Sequence, residues 1–234
     1  MRQRLQPTLF LIIALITAAL ACAIPGTGGT PTPPPSPTPV GDTIFFTAPY
    51  AITLEPGTTI PGTEITFVQQ MDALYELRVE GLRAVRQDGD ALTWRGIVAP
   101  GVFGTYRLRL RSPLVGQLRA EGDVDLAVLN PAPVELPPTD TPPAGSVHYN
   151  SIPVQYFVPE GHRIPGSTLV YDGQEDGIAR LSGTAGYPYF ALDASILWLG
   201  KLRENVYIRY NTRVSSLNEN GLGLTGTAEL WVTE

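Results

Sequence analysis

Ile60-Pro61-Gly62-Thr63 returns as Ile164-Pro165-Gly166-Ser167, and Trp94-Arg95-Gly96 returns as Trp198-Leu199-Gly200, each 104 positions later. The same offset carries Gly41 onto Gly145, Gly122 onto Gly226 and Asp125-Leu126 onto Glu229-Leu230. In between it slips, with Gly81 matching Gly183 and Leu108-Arg109 matching Ile208-Arg209, and then recovers, as loop insertions do in a duplicated unit. The folded part of the chain is therefore read as one module made twice, over residues 41–130 and 145–234. Whatever fold the first copy takes must also suit the second.

The periodicity within the first copy is that of strands. Apolar residues recur in short runs at 43–47, 51–54, 65–68, 75–82, 91–98, 105–110 and 124–129, and Tyr75-Glu-Leu-Arg-Val-Glu and Tyr106-Arg-Leu-Arg-Leu-Arg alternate with period two. Pro56-Gly57, Pro61-Gly62, Asp88-Gly89, Pro100-Gly101 and Glu121-Gly122 break the runs, and the second copy repeats the scheme. No stretch has the period of a long amphipathic helix. The expected fold is all-β: two tandem copies of a small antiparallel Ig-like sandwich, with seven or so strands each. Ile-Pro-Gly-Thr/Ser has the chemistry of a type II turn, proline fixing φ at its second position and glycine supplying positive φ at its third. Trp94 and Trp198 are expected to face inward as core anchors. Residues 131–144 hold prolines 131, 133, 137, 138, 142 and 143, and read as a semi-rigid linker that keeps the two copies apart as separate beads.

Ahead of the repeats, Arg2 and Arg4 precede an apolar run over 9–23, too short to span a bilayer comfortably but long enough for the core of an export signal. It ends Ala19-Leu20-Ala21-Cys22, and here the chain resembles bacterial lipoproteins, in which a small residue precedes a cysteine that becomes the lipidated N-terminus. Ala19 departs from the leucine more usual in such signals, and Ala19-Leu20-Ala21 also fits ordinary signal cleavage. Cys22 is the only cysteine, so it has no disulfide partner within the chain. The resemblance implies a signal peptide over 1–21 and a membrane anchor at Cys22. Residues 22–40 would be a Pro/Thr-rich stalk, and the protein would lie on the extracytoplasmic face of the cell envelope.

Chemistry is harder to find. The net charge of −6 is spread over both copies and leaves no basic patch for a phosphate backbone, which argues against nucleic acid as a partner. His148 and His162 have no counterparts, aligning with Ile44 and Thr58, and neither sits in a triad or metal-ligand spacing. The acidic loop 172–177 lacks EF-hand spacing and reads as a solvated hairpin, so neither a metal nor another cofactor is expected. Arg107, Arg109 and Arg111 could grip an anionic polymer, but Glu76 and Glu80 offer them ion-pair partners. Nothing in the sequence indicates a cleft with two opposed carboxylates. The one candidate contact comes from a difference between the copies: the second lengthens a loop and fills it with Tyr187, Tyr189 and Phe190, which could stack on a sugar or a protein partner or fold back to cap their own core. The expected function is non-enzymatic: an envelope protein displaying two modules for structural or adhesive interaction, or a carbohydrate-binding or scaffold subunit of an envelope complex.

Overall fold

Alternating sequence becomes strand throughout the computed structural model, which describes residues 43–111, 116–184 and 186–233. In chain order the strands are β1 (Thr43–Leu54), β2 (Ile65–Met71), β3 (Leu74–Val79), β4 (Leu82–Gln87), β5 (Ala91–Ala99), β6 (Val102–Arg111), β7 (Leu118–Leu129) and the short β8 (Val134–Glu135). They continue with β9 (Val147–Val158), β10 (Val170–Glu175), β11 (Ile178–Ser182), β12 (Tyr189–Phe190), β13 (Ser195–Arg203), β14 (Val206–Asn218) and β15 (Gly221–Val232). No helix occurs among the described residues. The first seven form the sheets β1-β7-β6-β5 and β2-β3-β4; the later strands form β8-β13-β14-β15-β9 and β10-β11-β12, and every pairing is antiparallel.

That order departs from the Ig-like expectation. An Ig sandwich divides its strands as ABED and CFG and so crosses between the sheets three times, at B–C, C–D and E–F, whereas here β2-β3-β4 and β5-β6-β7 are uninterrupted three-strand meanders, and β1 joins the second of them by pairing with β7. Tight hairpins are the physical cause. Glu80-Gly81 (φ 51° and 78°) and Asp176-Gly177 (φ 52° and 74°) have two consecutive positive-φ residues, the hairpin conformation that holds consecutive strands side by side.

The repeated motifs do structural work in both places. Gly62 and Gly166 take φ of 73° and 71°, and the amides of Thr63 and Ser167 donate to the carbonyls of Ile60 and Ile164, both at 3.1 Å. Each turn then offers its proline carbonyl to a tyrosine of the long sheet: Tyr106 Oη donates to Pro61 O at 3.1 Å and Tyr210 Oη to Pro165 O at 2.9 Å. Trp94 and Trp198 are buried, at 5% and 3% exposure. Each indole lies across the glycine two residues on, where a Cβ would come within 2.3 Å of the ring at Gly96 and 2.2 Å at Gly200. Trp-x-Gly is thus a packing unit, with the glycine making room for the indole.

The expectation of separate beads is not met. One core cluster runs through both sets of strands, and β1 lies against β9 without hydrogen-bonding to it as a strand. The hydroxyls of Tyr106 on β6 and Tyr149 on β9 hydrogen-bond to each other in the interior. Arg203 Nη1 donates to Leu129 O at 2.6 Å, and Asn205 Nδ2 to Pro100 O at 3.1 Å, tying the β13–β14 turn to the β5–β6 turn and the end of β7. Nor is the proline-rich stretch a free spacer. Two of its non-proline residues, Ala132 and Leu136, donate to Leu202 O (2.7 Å) and Leu199 O (2.9 Å), which docks β8 on the edge of β13. Proline removes a donor only where it stands, so the amides that remain can still pair the segment.

Register corrects two alignments. Leu108 and Thr212 occupy the same place, facing Gly122 and Gly226 respectively, so the offset stays at 104 through β6 and does not slip to Ile208. On β9 a bulge with Ser151 at φ 54° inserts one residue, and His148 consequently faces Trp231 as Phe45 faces Ala127. Its counterpart is Phe45, not Ile44.

Candidate functional site

The outer face of β1-β7-β6-β5 carries a groove of about 960 Å³. Two register rows cross its floor: Ala91, Arg109, Glu121 and Ala51, then Thr93, Arg107, Asp123 and Pro49. Small residues on the outer strands leave the middle open. Gly122 lets β7 run close to β6, for a Cβ there would fall 2.1 Å from the Arg107 carbonyl oxygen. Asn150 and Ser151, the bulged residues of β9, line the groove from the neighbouring sheet. A place with the same register lies on the second long sheet, lined by Ser195, Asn211, Thr212, Arg213, Thr225 and Gly226, but its volume is only about 260 Å³. β1 has no bulge to wall it in.

The cations of the groove are compensated locally. Arg107 pairs with Asp125, which also accepts from Thr47 Oγ1 at 2.9 Å; the Arg107 hydrogen bond holds the Asp125 carboxyl below its usual range. Arg111 and Arg119 share Glu121, at 3.6 and 2.9 Å, and Arg109 Nη1 donates to Gly89 O at 3.3 Å. The sequence led one to expect Glu76 and Glu80 as ion-pair partners for these arginines; Arg107 and Arg111 pair with other carboxylates, and Arg109 donates to a backbone carbonyl instead. Glu76 lies on β3, in a different sheet, and takes Arg83 at 2.7 Å and Gln69 at 3.0 Å. The groove surface combines apolar ground from Pro49, Tyr50, Ala51 and Ala91 with hydrogen-bonding groups: guanidinium, hydroxyl and amide. Two carboxylates lie in these rows: Glu121, held by Arg111 and Arg119, and Asp123, opposite Arg107.

The outer face of β9-β15-β14-β13 is different again. One row holds Lys201, Tyr207, Trp231 and His148. His148 stacks on Trp231 (4.6 Å between centroids, 3° between planes), Arg209 lies 5.3 Å from the same indole, and Lys201 sits 4.8 Å from the Tyr207 ring centre. Glu229 binds both His148 Nε2 (3.0 Å) and Arg209 Nη2 (2.6 Å). The corresponding row on the first sheet is Ile97, Phe103, Ala127 and Phe45, apolar and partly exposed.

Tyr187, Tyr189 and Phe190 stand elsewhere, and none of them lines the groove. Where β3 and β4 pair along six residues each, β11 meets only the two-residue β12, and the aromatic loop occupies the place of the missing strand. Phe190 packs on the core, while Tyr187 is 75% exposed and tilts against Tyr189 at 5.5 Å. Asp172 is engaged within its hairpin, by Ser182 Oγ at 2.9 Å and Arg180 at 3.6 Å. Cys22, with the signal segment 1–21 and the stretch 22–40, lies outside the described residues. Asn150 and Ser151 were missed from the sequence; the one-residue change of offset within β9 was the signal, and it was hidden by aligning His148 with Ile44. No protein-family model matches the chain, no curated protein is similar to it, and no solved structure matches it.

Proposed function

We propose that the chain is a non-enzymatic, lipid-anchored protein of the cell envelope, acting by binding through two related β modules, residues 41–130 and 145–234, joined by the proline-rich 131–144. Recurrence of strand order, turn hydrogen bonds and Trp-x-Gly packing at one offset supports the duplicated module. The Leu20-Ala21-Cys22 sequence supports the anchor. The observation that carries the binding reading is the unequal pair of grooves: equivalent positions have been enlarged on one sheet by a bulge from its neighbour. A groove offering guanidinium, amide and hydroxyl groups suits an extended polar partner, and a polyhydroxylated glycan of the envelope meets that description.

Two measurements test this. Mass spectrometry of the mature N-terminus is expected to find Cys22 bearing lipid; an unmodified thiol or an intact Met1 would end the anchor reading. Titration of isotope-labelled protein with envelope polysaccharide is expected to shift the amide signals of Thr93, Arg107, Arg109, Asn150 and Ser151. Shifts confined to Tyr187 and Tyr189 would move the site to the aromatic loop, and no shift with any envelope fraction would remove the groove from consideration.

A further inference from the structure

We propose that the outer edge of β5 is a strand-addition site for an extended, proline-flanked segment of a partner protein. Both long sheets end on an equivalent strand, β5 in one and β13 in the other, and the two edges are treated differently. β13 is covered by β8, whereas among the described residues no strand pairs with the far side of β5. An uncovered edge is a template for another chain unless it is blunted. β5 is nine residues long, contains no proline or lysine, and exposes Ile97 at 64%.

The covered edge indicates what the uncovered one would accept. β8 is Val134-Glu135 between Pro133 and Pro137; its ladder pairs Val134 with Lys201 and Glu135 with Gly200, and amides on either side of it donate as well, Ala132 to Leu202 O and Leu136 to Leu199 O. One hundred and four positions earlier, those acceptors correspond to the carbonyls of Val98 and Arg95. Close approach needs a glycine: a Cβ on Gly200 would fall 2.5 Å from Val134 O, and the matching residue on β5 is Gly96. Arg95 beside it is the one charged residue of the strand and favours an acidic side chain in the incoming segment, at the place where β8 carries Glu135. Main-chain pairing supplies affinity in this mode of recognition, and the flanking residues supply selectivity. A suitable partner segment therefore has amide donors four residues apart, a small or β-branched residue and an acidic residue between them, and prolines where no donor is needed.

The probe is the peptide Pro-Ala-Pro-Val-Glu-Leu-Pro-Pro, the sequence of residues 131–138. Added at millimolar concentration to the full chain, it is expected to slow hydrogen exchange at least tenfold within residues 95–99, clear of the groove residues Ala91 and Thr93. A second peptide, with proline in place of the residues corresponding to Ala132 and Leu136, lacks both donors and is expected to bind at least tenfold more weakly. Because the substitutions are in the peptide, folding of the protein is not at issue. Unchanged exchange over residues 95–99, equal effects of the two peptides, or slowed exchange confined to β13 would each overturn the proposal, and none of these outcomes bears on the groove.

Discussion

Tyr106 and Tyr210 make the same hydrogen bond to the proline carbonyl of the same turn, yet their second partners come from different places. Tyr210 Oη meets Tyr156 Oη at 3.2 Å, from β9 of its own set, where β1 has Ile52. Tyr106 instead meets Tyr149, which also belongs to β9 and so reaches across from the second set of strands. One strand serves both tyrosines. The contact from turn to tyrosine thus recurs in both sets, while the remaining valence of the Tyr106 hydroxyl is what joins one set to the other.

The sharpest way to break this comparison is to remove the shared side. Tyr149→Ala is expected to cost about 3–5 kcal/mol, the range for deleting a buried aromatic side chain. Tyr149→Phe, which removes only the hydroxyl, is expected to cost about 1–2 kcal/mol. Denaturant unfolding followed by two probes measures both. The wild-type protein should unfold in one transition, and a Tyr149→Ala protein within about 1 kcal/mol of wild type would mean that the junction contributes nothing.

A smaller effect should appear in alkali. Burial pushes the Tyr156 phenol up to about 12 and raises Tyr210 well above its usual range. The unfolded chain loses these protons near pH 10, so the stability contributed by the neutral folded phenols is complete below about pH 10 and falls as pH rises through 12. From Tyr156 alone the loss is on the order of 2 kcal/mol at pH 12. Tyr156→Ile, which copies the residue at the counterpart position, is expected to flatten the pH dependence between 10 and 12; an unchanged slope would show that these phenols are not the groups responsible.

How far the sequence could be read depended on the range of the interaction. Turn chemistry is local, so Ile-Pro-Gly-Thr/Ser was legible as a type II turn with its glycine at positive φ. Alternation is nearly local, so the inward faces of Tyr75, Leu77, Val79, Tyr106, Leu108 and Leu110 were legible too; five are buried, and Val79 is half-buried against the core. Strand order was not legible, because period two says which face a residue takes and nothing about which strand lies beside it. That Ile44 and Tyr149 belong to a core shared between the two sets could not be read from period two. Counting prolines misled over residues 131–144, where the amides that remain mattered more than the six missing ones. The groove had no local signature at all: it depends on Gly122 in one sheet and a one-residue bulge in another, which meet only in the fold.

The smallest expected effect separates the two tryptophans. Trp198 Nε1 donates to Thr168 Oγ1 at 3.0 Å, whereas Trp94 Nε1 is buried without a partner among the described residues. Position 64, the counterpart of Thr168, holds an exposed glutamate. An unsatisfied buried donor costs about 1–3 kcal/mol of desolvation, and a hydrogen bond that satisfies it returns about 1 kcal/mol net. Thr168→Val keeps the shape of the side chain and removes the acceptor, so it should destabilise by about 1–2 kcal/mol and make Trp198 resemble Trp94. Glu64→Thr is the reverse exchange and should stabilise by up to about 1 kcal/mol, provided the threonine hydroxyl reaches Nε1 as its counterpart does. The indole N–H resonance reports that geometry independently of stability, since a new hydrogen bond slows its exchange with solvent. Slower exchange with no gain in stability would mean that the lost glutamate contributed as much as the new bond. If neither changes, the two tryptophans are not equivalent at this position, however closely their glycines match.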